Sequence, residues 1–471
     1  MPRCAWDVPH RDLAGRRPEC GSRGTTSGQR MLQNLTLEQA PPISVPFRFF
    51  TVAPLFGVAA ALLVIYHGPE IFDSRWTPAA LGLTHLLTLG FMGFVMCGAM
   101  MQMLPVLGGA VVPRVIAVGS TVHVALLLGT ISLSAGFLAS SPPLMTLAGV
   151  LLAAGFGVFI TALLVVLTRK PAANRTISAM RYALYALGAT VVLGLVLLAV
   201  LAGLNPGVDP VLLTNIHLGW GVLGWIGLLV CGVGYQVVPM FQMTPRYPEW
   251  LTRRLVPVLF SGLLAWSVIA LFAGHEGIWS NLWTLIFVVG YGAFALVTVH
   301  LQIQRRRKTE DVTRNFWTLG MVSILAAAAL WTGAVFLEGT LVMSNFPFLL
   351  GILLIPGFAI SVANGMLYRI VPFLIWFHLQ HCHIATAPAI EFSVPNVKKI
   401  IPTVWMRWQF RFHLAALLLL LAASITPDLF LYPAGAVLLI SFTLLSRNLI
   451  ASMMYFRQLS LLLEDRIRAA A

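Results

Sequence analysis

Charge is what this chain has least of. Asp, Glu, Lys and Arg make up 10% of its 471 residues, hydrophobic residues make up 58%, and the mean hydropathy is +0.87. Soluble domains carry about 25% charged residues, so a water-soluble enzyme is excluded and an integral membrane protein is implied. Alternation of polar and apolar residues is missing too; the apolar runs are continuous, which excludes a β-barrel. Cysteine is scarce, with five in all. Cys4 and Cys20 lie near the start, Cys97 and Cys231 inside apolar runs, and Cys382 at a boundary expected to face the cytoplasm, so no disulfide framework is expected. The first 30 residues lack the apolar core of a signal peptide and are rich in Arg, Gly and Ser. They are expected to be either a disordered cytoplasmic tail or an upstream extension, with Met31 as the true start. The second is favoured because the following stretch leads directly into the first helix.

What is abundant is apolar sequence long enough to cross a bilayer as helix. Twelve such runs are read, at about 47–67, 78–106, 114–139, 144–168, 180–203, 212–243, 254–274, 281–303, 316–337, 346–377, 410–427 and 429–456. The expected plan is an N-terminal tail over 1–43, a membrane domain over 44–457 and a cytoplasmic C-terminal tail over 458–471. The net charge of +14 is not spread evenly. Arg114, Arg169, Arg175, Arg246, Arg305 to Arg307, and Lys398 with Lys399 stand in alternate loops. The intervening loops hold Glu70, Asp73, Asp209, Glu276, Glu338 and Asp428, with Arg75 their only cation. This is the positive-inside pattern, which predicts cytoplasmic termini in a multi-pass inner-membrane protein. The basic charge therefore reads as topology and not as a nucleic-acid surface.

A motif recurs three times. Cys97-Gly98-Ala99-Met100-Met101-Gln102-Met103-Leu104-Pro105 returns as Cys231-Gly232-Val233-Gly234-Tyr235-Gln236-Val237-Val238-Pro239. A weaker copy, Gly365-Met366-Leu367-Tyr368-Arg369-Ile370-Val371-Pro372, has Arg in place of Gln. The copies fall on predicted helices two, six and ten, which divides twelve helices into three pseudo-threefold arcs of four. Each proline frees the carbonyl four residues before it, at Met101, Tyr235 and Tyr368. Gln102, Gln236 and Arg369 are polar groups within the membrane, a costly placement that usually has a task. Gly98, Gly232 and Gly365 would let neighbouring helices approach.

Histidine precedes two of the copies, His85 and His217, near the outer end of its helix. Within helix two, His85, Met92, Met96 and Met103 form one stripe at about 100° per residue, as ligands for a soft metal or as packing. Helix six is rich in glycine from Gly219 to Gly234, which suits a flat cofactor or, more simply, a close helix. Helix ten ends in His378, His381, Cys382 and His383, a set whose imidazole and thiolate chemistry suits Zn or Cu. His123 is a further interior candidate, while His67, His275, His300 and His413 fall near helix ends and are read as interfacial.

The stretch Thr84-His85-Leu86-Leu87-Thr88-Leu89-Gly90-Phe91-Met92-Gly93-Phe94, with Gly98-Ala99, resembles the second helix of heme-copper oxidase large subunits. It is similar also to their distant relatives, including the NnrS-type proteins linked to nitric oxide stress. That resemblance implies an all-α fold of twelve transmembrane helices and His85 as a heme ligand. Helix ten lacks the oxidases' histidine pair, His217 stands without the further copper histidines, and the NnrS-type Trp-His-x-His-Glu motif is missing. An oxygen-reducing centre is therefore not expected, and whether the chain is an enzyme at all stays open.

The first expectation is a heme or copper held through His85 and His217, for respiratory electron transfer or a nitric oxide response. The alternatives are a copper or small-solute transporter using His85, Met92, Met96, Met103, Cys97 and Cys231, and a non-catalytic partner of a respiratory complex. Membrane lipid, respiratory subunits and electron carriers are the expected partners.

Overall fold

In a bilayer core no water pairs with backbone N–H and C=O groups, so a continuous apolar run must satisfy them within itself, as helix. The computed structural model describes residues 40–109, 111–169, 174–203, 207–273, 278–306, 309–336, 345–386 and 393–470. Among the described residues there is helix and no strand. The membrane-length helices are α1 (Ser44–Phe72), α2 (Pro78–Val106), α3 (Val115–Leu138), α4 (Pro142–Thr168), α5 (Arg175–Leu201) and α6 (Pro210–Gln242). They continue with α7 (Glu249–Phe272), α8 (Trp283–Ile303), α9 (Val312–Val335) and α10 (Phe346–Gln380). After α11 (Thr403–Ala423) comes α12 (Pro427–Arg468). The protein is an all-α polytopic membrane protein.

Eleven of these are long and apolar enough to cross a membrane among the described residues, against an expected twelve. The shortfall is α11, which begins at Thr403, earlier than the expected 410, and so takes Arg407, Gln409, Arg411 and His413 into its first half. Its polar side chains are used locally: Gln409 Nε2 donates to Ser441 Oγ of α12 (3.1 Å), and Arg411 lies over the Trp408 ring (5.0 Å). The last helix continues unbroken from Pro427 to Ala470, so 458 marks no structural boundary. Residues 1–39, with Cys4, Cys20 and Met31, lie outside the described residues.

Helix starts follow capping chemistry. Thr77 accepts from Ala80 N ahead of Pro78, and Asp209 accepts from Val211 N ahead of Pro210, each with proline in the first turn, where its missing N–H costs nothing. Beyond their prolines, α2 and α6 both stop in the left-handed region, at Gly109 (φ 56°) and Met243 (φ 55°). Those two stops lie four residues after Pro105 and Pro239. The corresponding part of α10 stays helical to Thr386.

The three copies pack alike. A Cβ on Gly98 would meet Phe49 Cβ of α1 at 2.8 Å, one on Gly232 Ala179 Cβ of α5 at 2.1 Å, and one on Gly365 Phe316 Cβ of α9 at 2.9 Å. One further glycine stands eight residues earlier in each copy. Gly90 abuts Phe56, Gly224 abuts Ala186 and Gly357 abuts Ser323. These partners are seven residues beyond Phe49, Ala179 and Phe316 in every case. The missing side chains thus let each repeat helix lie against the helix before it at two matched points, as small residues do between membrane helices.

Each repeat helix also carries a π-helical segment: Leu86–Gly93 in α2, Gly219–Gly227 in α6 and Leu353–Ile360 in α10. Their last residues, Gly93, Gly227 and Ile360, stand twelve residues before Pro105, Pro239 and Pro372. Such segments are rare, and three in one register are a repeated device.

Candidate functional site

All three π segments border one cavity of about 1000 Å³. That is at the upper end of small-molecule sites, about 300–1,000 Å³. A π turn carries an extra residue and loosens the backbone ladder, and two of the carbonyls there are taken up by side chains. Tyr291 Oη donates to Leu223 O in the α6 segment, and Ser361 Oγ donates to Pro356 O in the α10 segment (3.2 Å). The lining is largely apolar, with Trp225, Phe287 and Phe442 among it.

His85 and His217 both line this cavity. A carbonyl oxygen can only accept, so its neighbour fixes the tautomer of each ring. His85 Nδ1–H donates to Leu81 O (2.8 Å), and His217 Nδ1–H donates to Thr190 O of α5 (3.0 Å). Nε2 is then the lone-pair atom of both, and among the described residues it has no hydrogen-bond partner in either. Gly194 makes room for the second ring: a Cβ there would lie 3.1 Å from His217 Cε1. Phe137 supports the first, with ring centroids 5.4 Å apart.

The methionines are elsewhere. Met92, Met96 and Met103 are buried in the packed core and are not among the cavity's lining residues, and the same holds for Cys97 and Cys231. The expected stripe assumed about 100° per residue throughout, whereas the wider π turn between His85 and Met96 moves the imidazole out of phase with the thioethers. His378 Nδ1 donates to Leu374 O (2.9 Å). The side chains of His381, Cys382 and His383, like His275, lie outside the described residues. Among the described residues no group of three or more His, Cys, Asp or Glu could hold a metal ion.

His123 is structural: its Nε2 meets Arg48 O (3.1 Å) and its ring packs edge-on to Phe49 and Phe94. His413, read from sequence as interfacial, is 1% exposed and hydrogen-bonds Ser361 Oγ (2.8 Å) beside the cavity. The correction follows from the earlier start of α11, which sets His413 well inside the helix. In the repeat motif, Gln102 is buried with Oε1 unpartnered and Gln236 is half-buried. Arg369 forms an ion pair with Asp311 at the start of α9. Asn364, missed in the sequence, takes the place of Cys97 and Cys231 before the glycine and is fully buried with neither amide atom partnered. Tyr291 was missed as well, since nothing local marks a tyrosine whose partner is 68 residues away.

No family model matches the chain, and no curated protein is significantly similar to it. Function must therefore be argued from the site.

Two imidazoles are too few donors for a bare tetrahedral ion, which takes three or four protein ligands. They would suit a group such as a heme, which brings nitrogen donors of its own and takes the rest from the protein. Histidine ligands usually bind metal through one nitrogen while the other donates to a carbonyl, which fixes ring and tautomer. His85 and His217 already have that second arrangement. The residues present thus fit a heme better than a lone copper ion.

Proposed function

We propose that this protein is a membrane heme protein of the heme-copper-oxidase helix plan, lacking the oxygen-reducing centre, with His85 and His217 as the residues that would hold the heme in the cavity they both line. The observation that carries the reading is the pair of imidazoles on one cavity, each held through Nδ1 by a backbone carbonyl and each with Nε2 left for a ligand. A heme held there would supply one-electron chemistry. The residues of this chain would fix ring orientation and keep water from the group. The role is then electron transfer or nitric oxide handling in respiration, with respiratory subunits or electron carriers as partners.

The topology belongs to the same proposal. Twelve crossings, α11 included, form three arcs of four in a cell inner membrane, with the basic loops and both termini in the cytoplasm. The matched glycine contacts and π segments support the threefold arrangement.

The test is the absorption spectrum of the detergent-solubilised protein expressed with a heme supply. A Soret band that disappears in His85→Ala and in His217→Ala, and persists in His413→Ala, supports the proposal. A folded protein without the band sinks it, and copper found without heme favours the transporter in its place.

A further inference from the structure

The cavity is also lined by a cation that nothing above uses. Arg75 was singled out in the sequence as the lone cation of the acidic loops, and among the described residues it is the only permanently charged side chain lining the cavity. It also lines a second, polar recess of about 360 Å³ with Ser74, Asn345 and Phe348, so it stands between that recess and the apolar interior. Its contacts are neutral. Nη1 donates to Asn215 Oδ1 of α6 (3.0 Å), and the guanidinium lies 4.8 Å from the Trp76 ring centroid. Asp73 borders the same recess but makes no ion pair with it among the described residues.

A guanidinium partly withdrawn from water with no counter-charge among the described residues is costly, and its planar set of donors matches a carboxylate. By accepting from Arg75, Asn215 Oδ1 leaves the Nδ2 hydrogens of that amide as donors, and among the described residues they have no partner. Asn215 is also a cavity residue, two positions before His217. Two adjacent donors therefore stand on a largely apolar space.

We propose that Arg75 and Asn215 bind the carboxylate of an amphipathic ligand whose apolar body fills the cavity. The inference rests on the cavity being a ligand site, as proposed above, but not on the imidazoles binding iron. The shared chemistry is a carboxylate on a large apolar body, and it has two sources: a fatty acid, or the acid groups of a porphyrin.

The experiment compares cis-parinaric acid with its methyl ester, and metal-free protoporphyrin IX with its dimethyl ester, on the full chain in nanodiscs. The acid-to-ester affinity ratio cancels partitioning into lipid when variants are compared. For one probe pair the acid should bind at least about tenfold better than the ester, in keeping with a charge-assisted contact. Arg75→Gln should abolish that preference by weakening the acid alone, Arg75→Lys should keep part of it, and Asn215→Leu should reduce it. The pair that responds identifies the source. His85→Ala/His217→Ala should leave the preference intact even where it removes a Soret band, so the two proposals fail separately. Equal binding of acid and ester for both pairs, a preference that survives Arg75→Gln, or one lost in the histidine double variant would overturn the inference.

Discussion

The first two repeats and the third share a backbone but not a chemistry. In α2 and α6 a histidine comes just before the π segment, a cysteine before the glycine and a glutamine before the proline, and the helix ends in a left-handed turn. In α10 these become no histidine, Asn364 and Arg369, and the helix runs on. The third copy turns its polar groups on its own neighbours, through the Arg369–Asp311 ion pair and the contact of Ser361 with His413. The first two leave imidazole nitrogens open on the cavity. Glycine contacts and π segments survive in all three, so the packing device is separable from the ligand chemistry placed on it.

The largest expected effect tests that separation directly. His85→Ala or His217→Ala should remove the Soret band entirely, while His413→Ala in the third copy should leave its position unchanged; spectra of the three variants decide. Arg369→Gln gives the third copy the residue of the other two and strands Asp311. Because both partners keep some exposure (24% and 14%), the loss should fall below that of a fully buried pair, at about 2–3 kcal/mol. Adding Asp311→Asn should return part of that stability in thermal unfolding.

Gly232→Ala should cost about 1–3 kcal/mol by overpacking, and more than Gly98→Ala or Gly365→Ala, because Ala179 Cβ is fixed to its backbone 2.1 Å away. Equal losses at the three glycines would mean the copies pack less differently than their partners suggest. Smallest is Tyr291→Phe, which leaves Leu223 O without its side-chain donor; about 1 kcal/mol in a melting series is expected.

Much of this architecture was legible because it is written locally. Continuous apolar runs mark helices, and Gly98, Gly232 and Gly365 before their prolines mark close approach, so both could be read without knowing a single contact. The partners Phe49, Ala179 and Phe316 could not, since they come from another helix and share no residue type. The stripe from His85 to Met103 failed for a different reason: side-chain phase was extended through a segment whose turn is not α-helical, and composition does not announce such a segment. His413 was missed through a boundary error, because arginines in a helix of membrane length look like loop. His85 and His217 were singled out together by the repeat, and it took coordinates to show that they line one space.

The π segments also bear on how a copied block can diverge. His85 stands directly before eight such residues, whereas His217 stands two before nine, and still Gly93 and Gly227 keep the same count to their prolines. An added residue in a regular helix would rotate everything on one side of it by about 100° and scatter the contacts made there. Here the wide turn absorbs the difference, as a slack loop in a rope lets one end shift while the knot holds. The histidine-bearing ends of α2 and α6 can thereby differ in register while the glycine contacts keep their places.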